Sequence, residues 1–318
     1  MIYSKILGTG SYLPKRILTN ADLEKMVDTT DAWIVERTGI KQRHLAAPDE
    51  NAVTLAEEAG RAALDAAGVK PAEIEMIIVA STTPQMVFPS TACLLQDRFG
   101  IAGCPAFDLN ATACAGFMYG FSIADQYIKT GAIKNALVIG SELMSRIVDW
   151  NDRSTCVLFG DGAGAVVLGA SSEPHVLSTH LHADGTHKDV LYLPLGTSKT
   201  PSLETVKMTG NALFKLAVNK LGDLFDETLA ANHIQKSEVD WLVPHQANIR
   251  IIQAMAKKLS LPMDRVTITL DKQGNTSSAS IPLALDAAVR DGRIKRGQLV
   301  MMEGFGGGLA WGSALVRY

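Results

Sequence analysis

The chain predicts an α/β fold of stacked layers built from two similar halves, and three observations carry that expectation. Apolar runs such as MIIVA at Met76, ALVIG at Ala136, WLV at Trp241 and LVMME at Leu299 suit strands covered on both faces. Helix-like stretches rich in Ala, Gly and Ser follow Cys114 and Asn275. The third observation is internal similarity. Residues Leu64 to Thr83 align without gaps to Leu229 to Asn248. A second ungapped match sets Gly131 against Gly292, Ile133 against Ile294, Lys134 against Lys295 and Glu142 against Glu303. Under that second offset Cys114 falls opposite Asn275.

Each half then reads as helix, strand, buried helix, strand. Five layers follow, α-β-α-β-α, with two mixed sheets around central helices that lie back to back where close backbone approach is required. The halves are expected at 1–172 and 173–318, with the seam near Gly169 to Pro174. The segment from Ser171 to Pro201 reads as crossover and loop. FGDGAGAVVLG at Phe159 leads into another apolar strand rather than a helix, so it predicts a turn or bulge and not a dinucleotide loop.

Composition excludes several function classes. With 318 residues, 30 basic and 33 acidic side chains, the formal charge of -3 provides no global basic field for nucleic acid, and an acidic partner must be met by a local patch. The cysteines Cys93, Cys104, Cys114 and Cys156 form no paired spacing, so neither a metal site nor a disulfide framework is expected. Cys93, Cys104 and Cys156 read as buried, inert thiols. No run approaches a membrane span and the first residues lack a leader pattern, so the expectation is a soluble cytoplasmic protein without a membrane partner.

Three short segments carry chemistry. Cys114 sits among small residues at a helix start, where the dipole is expected to lower its pKa toward the thiolate. His245 follows Val-Pro at a strand end, with polar Gln246 and Asn248 nearby, and reads as a neutral imidazole donating through Nε2. Asn275 alone is an ordinary turn residue, raised in interest by its match to Cys114. The run from Gly304 to Gly308 lets backbone approach a ligand, and a glycine N–H there can join that of Cys114 in an oxyanion hole, or form a plain hairpin turn.

DAWIVERTGIKQRH at Asp31, NATACAGF at Asn110, FGDGAGA at Phe159, VPHQANIRII at Val243, GNTSSASIPLAL at Gly274 and GFGGGLAWGSALVRY at Gly304 together resemble the β-ketoacyl-acyl-carrier-protein synthase III family, of the thiolase-like superfamily. The resemblance covers essentially the whole chain. It implies a thiolase-like fold and a decarboxylative Claisen condensation of an acyl-CoA primer, with acetyl-CoA expected, and malonyl-acyl-carrier-protein. The products would be a 3-oxoacyl carrier protein, CO2 and CoA, which initiates type II fatty-acid synthesis. Cys114, His245 and Asn275 would be catalytic, with Cys114 and Gly307 forming the oxyanion hole. No cofactor is implied, because CoA is part of a substrate. Elongating relatives place two histidines at the enolate site, whereas Asn275 stands in the second position here.

The resemblance also implies contacts. Trp33 and Arg153 would sandwich the CoA adenine, Arg37 and Thr38 would lie near phosphates or ribose, and Gly210, Asn211 and Phe214 would line the pantetheine tunnel, with Asn248 also on the CoA side. Phe88 would cross a homodimer interface to close the partner's acyl pocket. Lys215, Gln246, Ala247, Asn248, Ile249, Arg250, Lys257 and Lys258 would meet the acidic carrier protein; Arg250, Lys257 and Lys258 share one face of a helix. Two other readings remain at this stage: a synthase of secondary metabolism with the same fold, and a thioester hydrolase using Cys, His and Asn.

Overall fold

The computed structural model describes residues 1–110, 113–194 and 205–318. From the N-terminus it runs β1 (Tyr3–Tyr12), β2 (Arg16–Thr19), α1 (Asn20–Leu23), α2 (Asp31–Thr38), β3 (Gln42–Leu45), α3 (Ala52–Ala67), β4 (Met76–Ala80), α4 (Thr91–Arg98) and β5 (Ala106–Leu109). It continues through α5 (Gly116–Lys129), β6 (Asn135–Leu143), α6 (Arg153–Cys156), β7 (Asp161–Ser171), β8 (Val176–Ala183), β9 (Leu191–Tyr192) and β10 (Lys207–Met208). The last part is α7 (Gly210–Asn232), β11 (Trp241–Pro244), α8 (Ile249–Leu259), α9 (Leu270–Gln273), α10 (Ser280–Arg290), β12 (Leu299–Gly306) and β13 (Ala310–Arg317).

Two mixed sheets dominate, ordered β1-β7-β6-β4-β5 and β8-β13-β12-β11. In the first, β4 is parallel to β5 and β6 while β7 is antiparallel to its neighbours. The second repeats that scheme, with β11 parallel to β12 and β13 antiparallel to β12 and β8. A lone bridge from Leu242 to Val266 stands where a counterpart of β5 would be. Helix α3 covers the outer face of the first sheet and α7 that of the second, while α5 and α10 each touch both sheets. The five expected layers are therefore present.

The segment expected to be loop from Ser171 differs. Residues 176–183 form β8, the edge strand of the second sheet, although its residues alternate only half-buried and so carry a weak apolar signal. The part of that segment from residue 195 onward lies outside the described residues.

Small residues set the spacing of the middle layer. Phe117 and Phe121 of α5 and Ile281 and Leu285 of α10 share one fully buried cluster between the sheets, each large side chain contributing roughly 2 kcal/mol by burial. Glycines let the sheets close on the helix starts. A Cβ on Gly140 of β6 would stand 2.3 Å from the Ser278 carbonyl oxygen, and one on Gly164 of β7 would stand 2.6 Å from the Leu283 nitrogen. Gly140→Ala is therefore expected to destabilise the fold by roughly 1–3 kcal/mol through overpacking against backbone. A denaturation midpoint equal to that of the parent protein would contradict this packing.

Candidate active site

The central layer opens into one cavity of about 660 Å³ whose walls include Cys114, His245, Asn275, Ser277, Phe305 and Gly307. The three expected functional groups, far apart in sequence, thus share a chamber. Cys114 lies in the short turn of helix Ala113–Ala115 that feeds α5, and its Sγ is 3.5 Å from Ser277 Oγ. Ala113 takes φ +41, a left-handed conformation that directs the chain sharply into the helix.

His245 leaves the end of β11, where its N–H donates to the Glu303 carbonyl. Its Nδ1 is bonded to Ser280 Oγ, and the same oxygen accepts the Gln246 N–H at 3.3 Å. Ser280 has no other acceptor among the described residues, so its own proton is directed at Nδ1. That assigns the remaining ring proton to Nε2, which has no partner among the described residues, on a side chain that lines the cavity. Burial holds the imidazole pKa down at about 3, so the ring is neutral.

Asn275 is placed by backbone. Its N–H donates to Leu158 O at 2.8 Å and its carbonyl accepts from the Gly160 N–H at 3.0 Å, a bridge that ties the turn to the start of β7. A Cβ on Gly160 would stand 2.6 Å from Gln273 O, which is why the Gly-rich stretch after Phe159 matters. The Asn275 Oδ1 accepts from the Ser277 N–H at 2.9 Å. Its Nδ2, without a partner among the described residues, is left as a donor for the cavity.

The thiol departs from expectation. Burial pushes Cys114 up to about 12; the Ser277 hydrogen bond pulls the other way, and the Glu142 carboxylate adds to the rise. Desolvation of the thiolate outweighs the helix start that suggested a lowered value. Glu142 itself is fully buried on β6 and accepts from Thr82 N–H, Thr82 Oγ1, Thr83 Oγ1 and Ser278 Oγ at 2.9 to 3.0 Å. Burial raises its pKa while those donors lower it. It clamps the Thr82–Thr83 turn to the segment that carries Ser277. Its match in the duplication, Glu303, is also fully buried, and neither of its oxygens has a partner among the described residues; burial raises its pKa well above the usual range.

Glu142, named from sequence only as the match of Glu303, and Ser277 and Ser280 were given no functional role from sequence. An acid inside an apolar strand, and serines at 277, 278 and 280 opening a helix buried between sheets, were the signals available. Arg43, also passed over, is fully buried in β3 and donates to Leu18 O, Asn20 Oδ1 and Val157 O. Its stem packs beneath Gly274 and Gly160, under the turn that holds Asn275.

At the surface, the Trp33 ring carries two guanidinium groups, Arg37 at 4.8 Å and Arg153 at 5.1 Å from the ring centroid. That spacing leaves no room for a purine between Trp33 and Arg153. Arg153, bonded to the Asp28 carbonyl at 2.8 Å, would have to swing outward for one to enter. Thr38 is a correction: it is buried, donating to Ile34 O and accepting the Ile40 N–H, so its hydroxyl ends α2 instead of facing a ligand. Gly210, Asn211 and Phe214 are also set apart. Helix α7 turns Leu213, Ala217 and Leu221 to the cavity, spaced by four, and leaves Gly210 and Asn211 exposed and Phe214 half-buried outside its lining.

Of the residues expected to meet a carrier protein, Lys215, Arg250 and Lys257 are exposed and unpaired among the described residues. Ala247 lines the cavity, Asn248 caps α8 through the Arg250 N–H, and Ile249 packs against Gly39. Gln246 is a second correction, fully buried, with its amide spent on Pro244 O, Thr267 O and the Thr269 N–H. Lys258 reaches back to Asp223 at 3.1 Å. Phe88 is 84% exposed and absent from the cavity of its own chain, beside Val87 at 91%. Among the other cysteines Cys156 is buried as expected, but Cys104 is half-buried and Cys93 is exposed on α4, its Sγ donating to Ala106 O at 3.4 Å.

The neutral imidazole gives a pH test. An unfolded histidine takes a proton below about 6.5, whereas folded His245 does not until about 3. This residue therefore costs stability as pH falls through that window. Its ring C–H resonances should not shift between pH 5 and 8; a titration near 6.5 would contradict the buried, neutral assignment.

Residues 107–185 match the family model of 3-oxoacyl-[acyl-carrier-protein] synthase III, and residues 229–318 match that of its C terminal part. A β-ketoacyl-[acyl-carrier-protein] synthase III of Thiobacillus denitrificans is 62% identical over 322 residues, covering 100% of both chains. The crystal structure of 3-oxoacyl-[acyl-carrier-protein] synthase III from Aquifex aeolicus is similar with TM-score 0.95 and 48% identity, over 99% of this chain and 100% of that one. A priming β-ketosynthase of a polyketide biosynthetic pathway is similar with TM-score 0.94 and 36% identity, over 99% and 96% of the two chains. On its motifs, its layered fold and these matches, the chain belongs to the β-ketoacyl-acyl-carrier-protein synthase III family, condensing acyltransferases of thiolase fold.

Proposed function

We propose that the chain joins an acyl-CoA primer, acetyl-CoA in the first instance, to malonyl-acyl-carrier-protein, the initiating condensation of fatty-acid synthesis. In the first half-reaction the Cys114 sulfur attacks the primer carbonyl, and the N–H groups of Cys114 and Gly307 receive the oxyanion. CoA leaves with the thiol proton. In the second, His245 Nε2–H and Asn275 Nδ2–H bind the malonyl thioester oxygen while CO2 departs. The resulting enolate attacks the acyl-cysteine, forming the 3-oxoacyl product and freeing the thiolate.

One observation carries this reading: His245 and Asn275 are held by their far atoms, on Ser280 Oγ and the Ser277 N–H, with a nitrogen of each left for the shared cavity. Decarboxylation supplies the carbanion without a base, so neutral donors that act on developing charge are what the step requires. The same arrangement argues against a Cys-His-Asn hydrolase, in which the asparagine would orient the histidine. Here Ser280 does so. The similarity to a priming polyketide synthase favours a secondary-metabolite role less than the 62% identity to a β-ketoacyl-[acyl-carrier-protein] synthase III favours the fatty-acid one.

Further parts of the proposal rest on surfaces. Met86, Val87 and Phe88 are exposed, the first two at the cavity, and β5 is an edge strand, which supports a homodimer in which Phe88 enters the partner's acyl pocket. Trp33, Arg37 and Arg153 form the CoA mouth once Arg153 moves, with Asn248 nearby. Lys215, Arg250 and Lys257, flanked by Ala247 and Ile249, form the carrier-protein face. The chemistry calls for no cofactor. Among the described residues no helix is long and apolar enough to cross a membrane, and we propose that the enzyme works in the cytoplasm.

Radiolabelled acetyl-CoA should place label on Cys114 alone, releasing it only when malonyl-carrier protein is added. Arg250→Glu should leave that labelling intact and raise the KM for malonyl-carrier protein by about 10-fold. Label elsewhere, or equal loss in both half-reactions with Arg250→Glu, would contradict the nucleophile or the carrier face respectively.

A further inference from the structure

The three-residue constellation leaves out the side chain that, among the described residues, is hydrogen-bonded to the sulfur. Ser277 is buried, lines the same cavity, and holds its Oγ 3.5 Å from Cys114 Sγ. It does so from φ +50, a left-handed conformation uncommon for serine, fixed by its N–H on Asn275 Oδ1. The other groups around the sulfur are unfavourable to charge or neutral to it. The buried Glu142 carboxylate opposes a thiolate, and His245 is neutral. Lys188, the one cationic side chain lining the cavity among the described residues, is exposed and paired with Asp189. His245 Nε2–H and Asn275 Nδ2–H share the chamber but are committed to the malonyl oxygen in the proposed function, and among the described residues the Ser277 hydroxyl is the side-chain group hydrogen-bonded to the sulfur.

We propose that Ser277 is a further catalytic residue, whose hydroxyl donates a hydrogen bond to the Cys114 sulfur as the thiol ionises. In the resting site the S–H donates to Oγ; on ionisation the hydroxyl rotates and donates back. The new bond joins Sγ to the acyl carbon, the bond from that carbon to the CoA sulfur breaks, and the thiol proton ends on CoA. Ser277 itself gains and loses nothing.

The inference deepens the proposed function and rests on Cys114 being the nucleophile. It is tested by comparing single-turnover transfer of labelled acetyl from acetyl-CoA to Cys114 with CO2 release from malonyl-carrier protein in a Cys114→Ala background. Ser277→Ala removes the hydroxyl and keeps the N–H on Asn275; Ser277→Gly does the same and relaxes the backbone. Both should slow acylation about 10-fold, the loss of one charge-assisted hydrogen bond, and lower the ratio of acylation to decarboxylation by a similar factor. The pH profile of acylation should move to higher pH by about one pH unit. Unchanged acylation, or equal loss in both rates, would overturn the role of Ser277. Failure of the parent protein to take label on Cys114 would instead overturn the proposed function.

Discussion

The meeting of two helix starts between two sheets is the constraint on which the rest of the structure depends. The turns that open α5 and α10 must meet for Cys114 and Asn275 to share a chamber, and small residues let the first sheet close on the α10 side of that meeting. Gly140 against Ser278 and Gly164 against Leu283 are contacts no larger residue tolerates. The polar groups buried by that approach would each cost about 1–3 kcal/mol if left unpaired. Several are paired instead, Ser278 with Glu142 and Ala80, Ser280 with His245, and the Ser277 N–H with Asn275, while Thr276 Oγ1 has no partner among the described residues. Satisfying the buried backbone and serines is what orients the imidazole and the amide.

The electrostatics follow from the same burial. Burial disfavours charge on these groups, so the thiol is pushed up and the imidazole down, and both rest neutral near pH 7. Charge is then tolerated only where hydrogen-bond donors already point. A site of this kind suits chemistry whose negative charge appears transiently on oxygen, first beside backbone N–H groups and then beside two side-chain donors. It suits poorly a reaction that needs a standing base.

Much of this was legible in the sequence because it is written locally. The duplication set Cys114 opposite Asn275, and both do lie at the starts of central helices. Apolar runs located β4, β6, β11 and β12. What was not legible depends on direction and burial. Gln246 and Asn248 are two residues apart and equally polar, yet one spends its amide inside a loop and the other caps a helix. Thr38 beside Arg37 turns inward to end α2, and α7 presents Leu213, Ala217 and Leu221 rather than Gly210, Asn211 and Phe214. The Cys114 pKa followed desolvation by the surrounding sheets, a quantity no local motif contains. Strand β8, half-buried at a sheet edge, lacked the continuous apolar run that marked the central strands.

The most direct measurement is a crystal structure of the Cys114→Ala protein with a non-hydrolysable malonyl thioester analogue bound in the chamber. The account predicts the analogue's carbonyl oxygen within about 3.2 Å of both His245 Nε2 and Asn275 Nδ2, with Ser280 still on Nδ1. An oxygen that reaches neither nitrogen, or an Asn275 amide turned to hold the imidazole, would contradict it.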